Sequence, residues 1–165
     1  MHRSPPIARP NRRRARGFTL IELMVAVVVV GVLLSLALPS LLGSIRKSRR
    51  SEAFNKLGAV QLAQERFRAN NPTYAGNLTN GAASAPPGLS LPATTADGRY
   101  TLALEGAPTA TTYSVSATPI SGSSQVEDGN CALLGVKVVG GNIHYESAPA
   151  GGTLDETMGR LCWVR

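Results

Sequence analysis

One carboxylate sits where carboxylates are rare. Glu22 interrupts the stretch Gly17-Phe-Thr-Leu-Ile-Glu-Leu, and from Leu23 to Leu38 no charge follows and only Ser35 is polar. An acid near the end of such a run costs less than one at its centre, where the penalty is about 2.5–3.5 kcal/mol. One reading is an interfacial acid tolerated by its place in the first helical turn; the other is a carboxylate that seeks a positive partner. The other groups with chemical potential are two cysteines, Cys131 and Cys162, and the acidic pairs Glu127-Asp128 and Asp155-Glu156. The acidic pairs lack EF-hand spacing and read as solvated loop charges. Two cysteines are too few for a structural zinc site, and neither His2 nor His144 is spaced to complete one. His144 reads as an exposed strand residue. A glycine-rich phosphate loop, an HExxH pair and a Ser/His/Asp set are all missing. The sequence assigns no catalytic residue, metal or cofactor.

The element that must position Glu22 is long and apolar. Phe18 to Leu42 as a helix spans about 37 Å at 1.5 Å per residue, enough to cross a bilayer core. A helix can do so because it satisfies its own backbone in lipid. The run is too long for the apolar core of a secretory signal and lacks an Ala-x-Ala-like site at its far end. Pro39 removes a backbone donor and crowds the carbonyl of Ser35, so a bend is expected there, with Gly43 a second weak point. The bend either loosens the helix or only aims the soluble part.

Charge distribution overrides total charge. The chain of 165 residues carries 17 basic and 10 acidic side chains, net +7. Six of those arginines (Arg3, Arg9, Arg12, Arg13, Arg14 and Arg16) precede the span without an acid, leaving 11 basic against 10 acidic side chains beyond it. The basic pI therefore marks a sorting signal, not a nucleic-acid surface. The arginine cluster holds the N-terminus in the cytoplasm. Arg46, Lys47, Arg49 and Arg50 compete with that orientation, but the leader has more charge and comes first. These four read as a helix turn facing solvent or lipid headgroups.

Arg16-Gly17-Phe18-Thr19-Leu20-Ile21-Glu22-Leu23 resembles the processing motif of type IV prepilins. The resemblance implies cleavage between Gly17 and Phe18 by a prepilin peptidase, and N-methylation of Phe18 by the same enzyme. It places Glu22 fifth in the mature chain, the family's position for a membrane-embedded acid. We expect Glu22 to pair with the Phe18 amine of an adjacent subunit and set register in a filament.

Beyond the span, Ala53, Leu57, Val60, Ala63 and Phe67 recur at helical spacing on one face. Asn70-Asn71-Pro72 ends that helix. Residues 71–98 are rich in Asn, Gly, Ala, Ser, Thr and Pro and read as a long loop; the pilin resemblance places such a loop at subunit contacts. Alternation then predicts strands at Tyr100–Leu104, Tyr113–Ala117 and Cys131–Val139. A Gly140-Gly141-Asn142 turn leads into Ile143 and Tyr145, making 132–146 a hairpin. One amphipathic helix followed by four short strands implies an α+β head, the helix laid on an antiparallel sheet. With roughly 100 soluble residues the head has room for one core. Cys131 and Cys162 fall on the oxidising side of the membrane and are expected to pair, closing a loop that contributes about 3–4 kcal/mol.

Ala117-Thr118-Pro119-Ile120, then Gln125, Asp128, Cys131 and Cys162-Trp163, are similar to minor pilins of the PilE kind, in which two such cysteines bound a C-terminal disulfide region. The resemblance implies the type IV pilin fold. It divides the chain into a cleaved leader 1–17, a transmembrane or filament-core helix 18–43, and a periplasmic head 44–165 made of helix 44–70, loop 71–98 and sheet region 99–165. The implied partners are the prepilin peptidase/N-methyltransferase, other pilin subunits, the inner-membrane assembly platform and lipid. The implied locations are the inner membrane, spanned once with the head periplasmic, and then an extracellular pilus. Two alternatives stand beside a structural pilus subunit: a type II secretion pseudopilin, and a tip subunit that grips DNA or a surface. DNA as a partner would use Lys137, Arg99, Arg160 and Arg165, which the sequence cannot gather into one patch.

Overall fold

The structure, a computed structural model, describes residues 17–163. The leader arginines, His2 and Arg165 lie outside the described residues. The chain divides into two compact units between Ser40 and Leu41.

One helix, α1 (Leu20–Arg68), contributes to both units. Thr19 caps its start: the Oγ1 accepts the N–H of Glu22 at 3.2 Å. A Thr-x-x-Glu sequence at a helix start is a capping-box pattern, and it is present in the sequence. The valine-rich run Val25–Val30 is a poor helix former in water. In lipid it must be helical, since no water is there to satisfy an open backbone. Helical geometry continues through Pro39 and Gly43. Around the proline two hydroxyls back-bond to the helix, Ser35 Oγ to Val32 O at 2.7 Å and Ser40 Oγ to Ala37 O at 3.0 Å. Such bonds accompany helix bending.

In the second unit, four antiparallel strands form a meander in the order β1-β2-β3-β4. They are β1 (Tyr100–Glu105), β2 (Thr112–Pro119), β3 (Leu133–Val139) and β4 (Asn142–Ala148). The β3–β4 turn is Gly140-Gly141, with φ of +57° and +85° and Val139 facing Asn142. Two consecutive positive φ values fit a two-residue turn whose twist matches the strands, which is why glycines stand there. Alternation sorts the faces as expected: Tyr100, Leu102, Tyr113, Val115, Ala117, Leu134, Val136 and Val138 are buried.

They form one core cluster with Ala53, Leu57 and Val60 of α1. The helix stripe departs from its expected course at its end. Ala63 and Phe67 are half-buried, and the fully buried position is Gln64. Its amide holds the main chain of Ala75 at both ends, donating to Ala75 O at 3.0 Å and accepting from Ala75 N at 2.8 Å. A side-chain amide here replaces a strand partner, so burial follows hydrogen bonding rather than hydrophobicity.

The loop between α1 and β1 is ordered by its own hydrogen bonds. Asn77 Oδ1 accepts from the N–H groups of Thr79 and Asn80 at 3.0 and 2.7 Å, while Asn77 O and Leu78 O take Leu89 N and Leu91 N. Thr95 Oγ1, bound to Tyr100 N at 3.1 Å, leads into β1.

A second helix, α2 (Glu156–Cys162), is not expected from the sequence. Asp155 is exposed, as a solvated charge would be, and has a further role. It caps α2 by accepting the N–H of Met158 at 3.0 Å. Cys131 and Cys162 are joined by a disulfide.

Candidate functional site

In the first unit the chemistry is that of an exposed apolar rod. Phe18, Leu20 and Ile21 are more than two-thirds exposed, and the large side chains from Leu23 to Leu38 are about half-exposed or more. No soluble surface sustains such a band without a partner or lipid around it. α1 is long and apolar enough at this end to cross a membrane. Glu22 occupies its first turn, where the unpaired N–H groups and the helix dipole favour a negative charge. Gly17 and Phe18 precede the capped turn, so the peptide bond between them is outside the helix.

In the second unit the conspicuous polar cluster sits on residues 46–50 of α1. The sequence expectation has them facing solvent or headgroups, and three of them instead hold two 3₁₀ turns, Ser124–Glu127 and Gly129–Cys131. Arg46 pairs with Glu127 at 2.6 Å, Arg49 donates to Ser124 Oγ, and Arg50 Nε lies 2.8 Å from Asp128 Oδ2. Arg50 and Asp128 are both largely buried, and their contact is one of charge rather than of an aligned hydrogen bond. Burial raises the Asp128 carboxyl above its ordinary range, against the opposing pull of Arg50 and Arg46. Gln125, fully buried, donates to Arg46 O at 3.3 Å and to Tyr100 Oη at 2.8 Å. The Tyr100 hydroxyl is pushed up to about 12, chiefly by burial. The expectation of a solvated loop charge therefore fails for Asp128. Its partner lies 78 positions upstream, and sequence spacing carries no signal of that pairing.

Trp163 seals the same end of the head. Its ring centroid is 4.5 Å from Phe54 and 4.6 Å from Tyr145, and its Nε1 donates to Glu146 O at 3.0 Å. On the far side of the core, Tyr74 donates to Glu65 Oε1 at 3.0 Å, and its hydroxyl is raised by burial and by that carboxylate. Among the described residues no group of three or more His, Cys, Asp or Glu side chains is placed to hold a metal.

The cations named for DNA are dispersed. Arg99 pairs with Asp97 at 2.9 Å at the start of β1. Lys137 lies on the outward face of β3 between Ser114 and His144, and Arg160 is on α2 beyond β4. With strands about 4.8 Å apart, Arg99 and Arg160 sit at opposite edges of the sheet.

Comparison with known proteins bears on both units. A family model described as "Type IV minor pilin ComP, DNA uptake sequence receptor" matches residues 39–135, more than half of the 165. The chain belongs to this type IV minor pilin family. A second model, the prokaryotic N-terminal methylation motif, matches residues 12–38 of the pilin. Similar proteins include type II secretion system core protein G of Klebsiella pneumoniae, 40% identical over 62 residues covering 38% of this chain and 44% of that protein. The corresponding protein of Escherichia coli is 38% identical over 61 residues, 37% of this chain and 42% of its own. The type IV major pilin PilA of Myxococcus xanthus is 41% identical over 61 residues, 37% of this chain and 28% of its own. The pilin thus spans less than half the length of these curated relatives. Its long helix, apolar in its first half and packed in its second half on a four-stranded antiparallel sheet, gives the α+β pilin-like fold expected from the sequence.

Proposed function

We propose that this pilin is a low-copy structural subunit of a type IV pilus that takes part in DNA uptake. The peptidase cuts between Gly17 and Phe18, Phe18 is methylated, and the chain waits in the inner membrane with its head in the periplasm. Assembly moves the apolar half of α1 from lipid into the filament core. Glu22 then neutralises the Phe18 amine of a neighbouring subunit, and Pro39 and Gly43 give the helix its weak points. The observation that carries this reading is a methylation motif joined to a rod that is apolar and exposed around its circumference. Mass spectrometry of protein from membranes tests it. The expected chain begins at a methylated Phe18 and is two hydrogens lighter for the Cys131–Cys162 bond. An uncut chain starting at Met1 in every fraction would overturn it.

The DNA role is favoured by the family model, which covers most of the head and whose description is that of a DNA receptor. Binding of duplex DNA by the full chain in detergent, weakening steeply with salt, is the expected result. A second reading, a pseudopilin of a type II secretion system, draws on the core protein G relatives. Recovery of the protein in sheared surface fibres favours the pilus, and loss of protein secretion without loss of fibres favours the pseudopilus.

A further inference from the structure

Strand β4 is an edge strand, and α2 lies where a fifth strand would pair with it. Ser147 exchanges both main-chain hydrogen bonds with Asp155, at 3.0 and 3.1 Å. Gly159 passes so close to β4 that a Cβ there would be 1.9 Å from Tyr145 O. His144 Nδ1 lies 3.0 Å from Glu156 Oε2, and Trp163 Nε1 reaches Glu146 O. Every residue from 144 to 147 is therefore engaged by the segment 155–163. That segment has little stability of its own. Its helix is seven residues long, far below what stands alone in water. Apart from the main chain through residues 149–154, the bond from Cys162 to Cys131 ties it covalently to the head.

We propose that α2 is a disulfide-held cover on the β4 edge, and that reduction uncovers the edge for pairing with β4 of a second copy. Side chains and main-chain groups alternate along a strand, so Ile143 and Tyr145 present their N–H and C=O on the edge that Ser147 uses. An antiparallel pair centred on Tyr145 opposes Ile143 to Ser147 of the other copy, which matches all three bonding positions. The same register sets His144 against Glu146 of the other copy, opposite in charge when the imidazole is protonated. An uncovered edge of this kind is a template for another strand.

The chemical step is thiol–disulfide exchange with a dithiol. One thiolate of the reductant attacks Sγ of Cys131, which is half-buried, while Cys162 is 2% exposed. The bond to Cys162 breaks and its sulfur leaves with the electron pair, then takes a proton. Ser147 Oγ, 3.2 Å away, donates a hydrogen bond to that sulfur. The second reductant thiol displaces Cys131. The reductant ends as a cyclic disulfide, and two electrons and two protons have passed to the protein.

The test uses the full chain in detergent micelles, oxidised or treated with dithiothreitol. Amide exchange at Asp155, Gly159 and Trp163, the bonded N–H groups of the cover, should accelerate by about tenfold or more on reduction, with β1 to β3 unchanged. The protein mass per micelle should double after reduction. Gly159→Ala should open the edge in the oxidised protein. Glu146→Lys should abolish the doubling, and His144→Glu combined with Glu146→Lys should restore it. Unchanged exchange on reduction, or doubling that Glu146→Lys leaves intact, overturns the proposal.

Discussion

Replacing Gln64 separates two accounts of why this position of α1 is buried. If the helix face needs only apolar surface, Gln64→Leu fills the site and leaves stability equal or higher. If the amide is there to satisfy Ala75, the same substitution orphans two main-chain groups of a residue that is 1% exposed. Each buried group left without a partner costs about 1–3 kcal/mol. The leucine recovers about 1.5–3 kcal/mol by burying its side chain. The net expected for Gln64→Leu is a loss of about 1–3 kcal/mol. Gln64→Ala has no such recovery and leaves a cavity, so its loss is about 3–5 kcal/mol. For a head of this size each kcal/mol lowers the Tm by about 3–6 °C. Thermal unfolding of the full chain in detergent, followed by the near-ultraviolet signal of Trp163 and the core tyrosines, reads the difference. A Gln64→Leu protein melting at or above the wild-type temperature would refute the hydrogen-bond account.

The remaining predictions concern charge. Arg50→Ala leaves Asp128 buried and unpaired and should cost about 3–5 kcal/mol by the same assay, whereas Arg50→Met with Asp128→Leu should recover most of that loss. The Asp128 carboxyl is raised on folding, so its contribution to stability is present at acid pH and is lost as pH climbs from its ordinary value of 3.8 through the raised one. Wild type should therefore lose stability relative to Asp128→Asn as pH rises through that window; Tm measured across it checks the sign. Tyr100 should ionise only near pH 12, so its share of stability persists at pH 10 and is lost above; ultraviolet titration against Tyr100→Phe reads this. Glu22→Ala should reduce fibre assembly severalfold while membrane insertion is kept, as counted in sheared fibres and membrane fractions.

Much of the fold is legible in the sequence because it rests on periodic patterns. Tyr113, Val115 and Ala117 alternate with serines, and Gly140-Gly141-Asn142 marks a turn whatever lies around it. The apolar half of α1 announces itself by length. The misses share another cause: each depends on a contact far along the chain. Gln64 reads as a polar interruption of a helix stripe until Ala75 is seen beside it. Arg50 and Asp128 look like surface charges until the two 3₁₀ turns around Asp128 fold onto the helix. α2 is too short for a periodic signal and carries a glycine in its middle, which counts against a helix. That glycine is required because the helix is pressed against Tyr145 O. Of the proposed site residues, Glu22 is legible from its apolar surroundings. Thr19 is legible as a cap only when Thr-x-x-Glu is read as a helix start rather than as part of a processing motif.

The pins of the crossing from α1 to β1 include Gln64 on Ala75, Asn77 on the turn just after it, and Thr95 on Tyr100. Between the last two pins, residues 82–84 are exposed and are required by no strand pairing. A foreign epitope spliced between Ala83 and Ser84 would break one turn bond, Ser84 N–H to Gly81 O, and leave the strand pairing unchanged. This makes the position a practical port for antibody or fluorophore labelling on living cells.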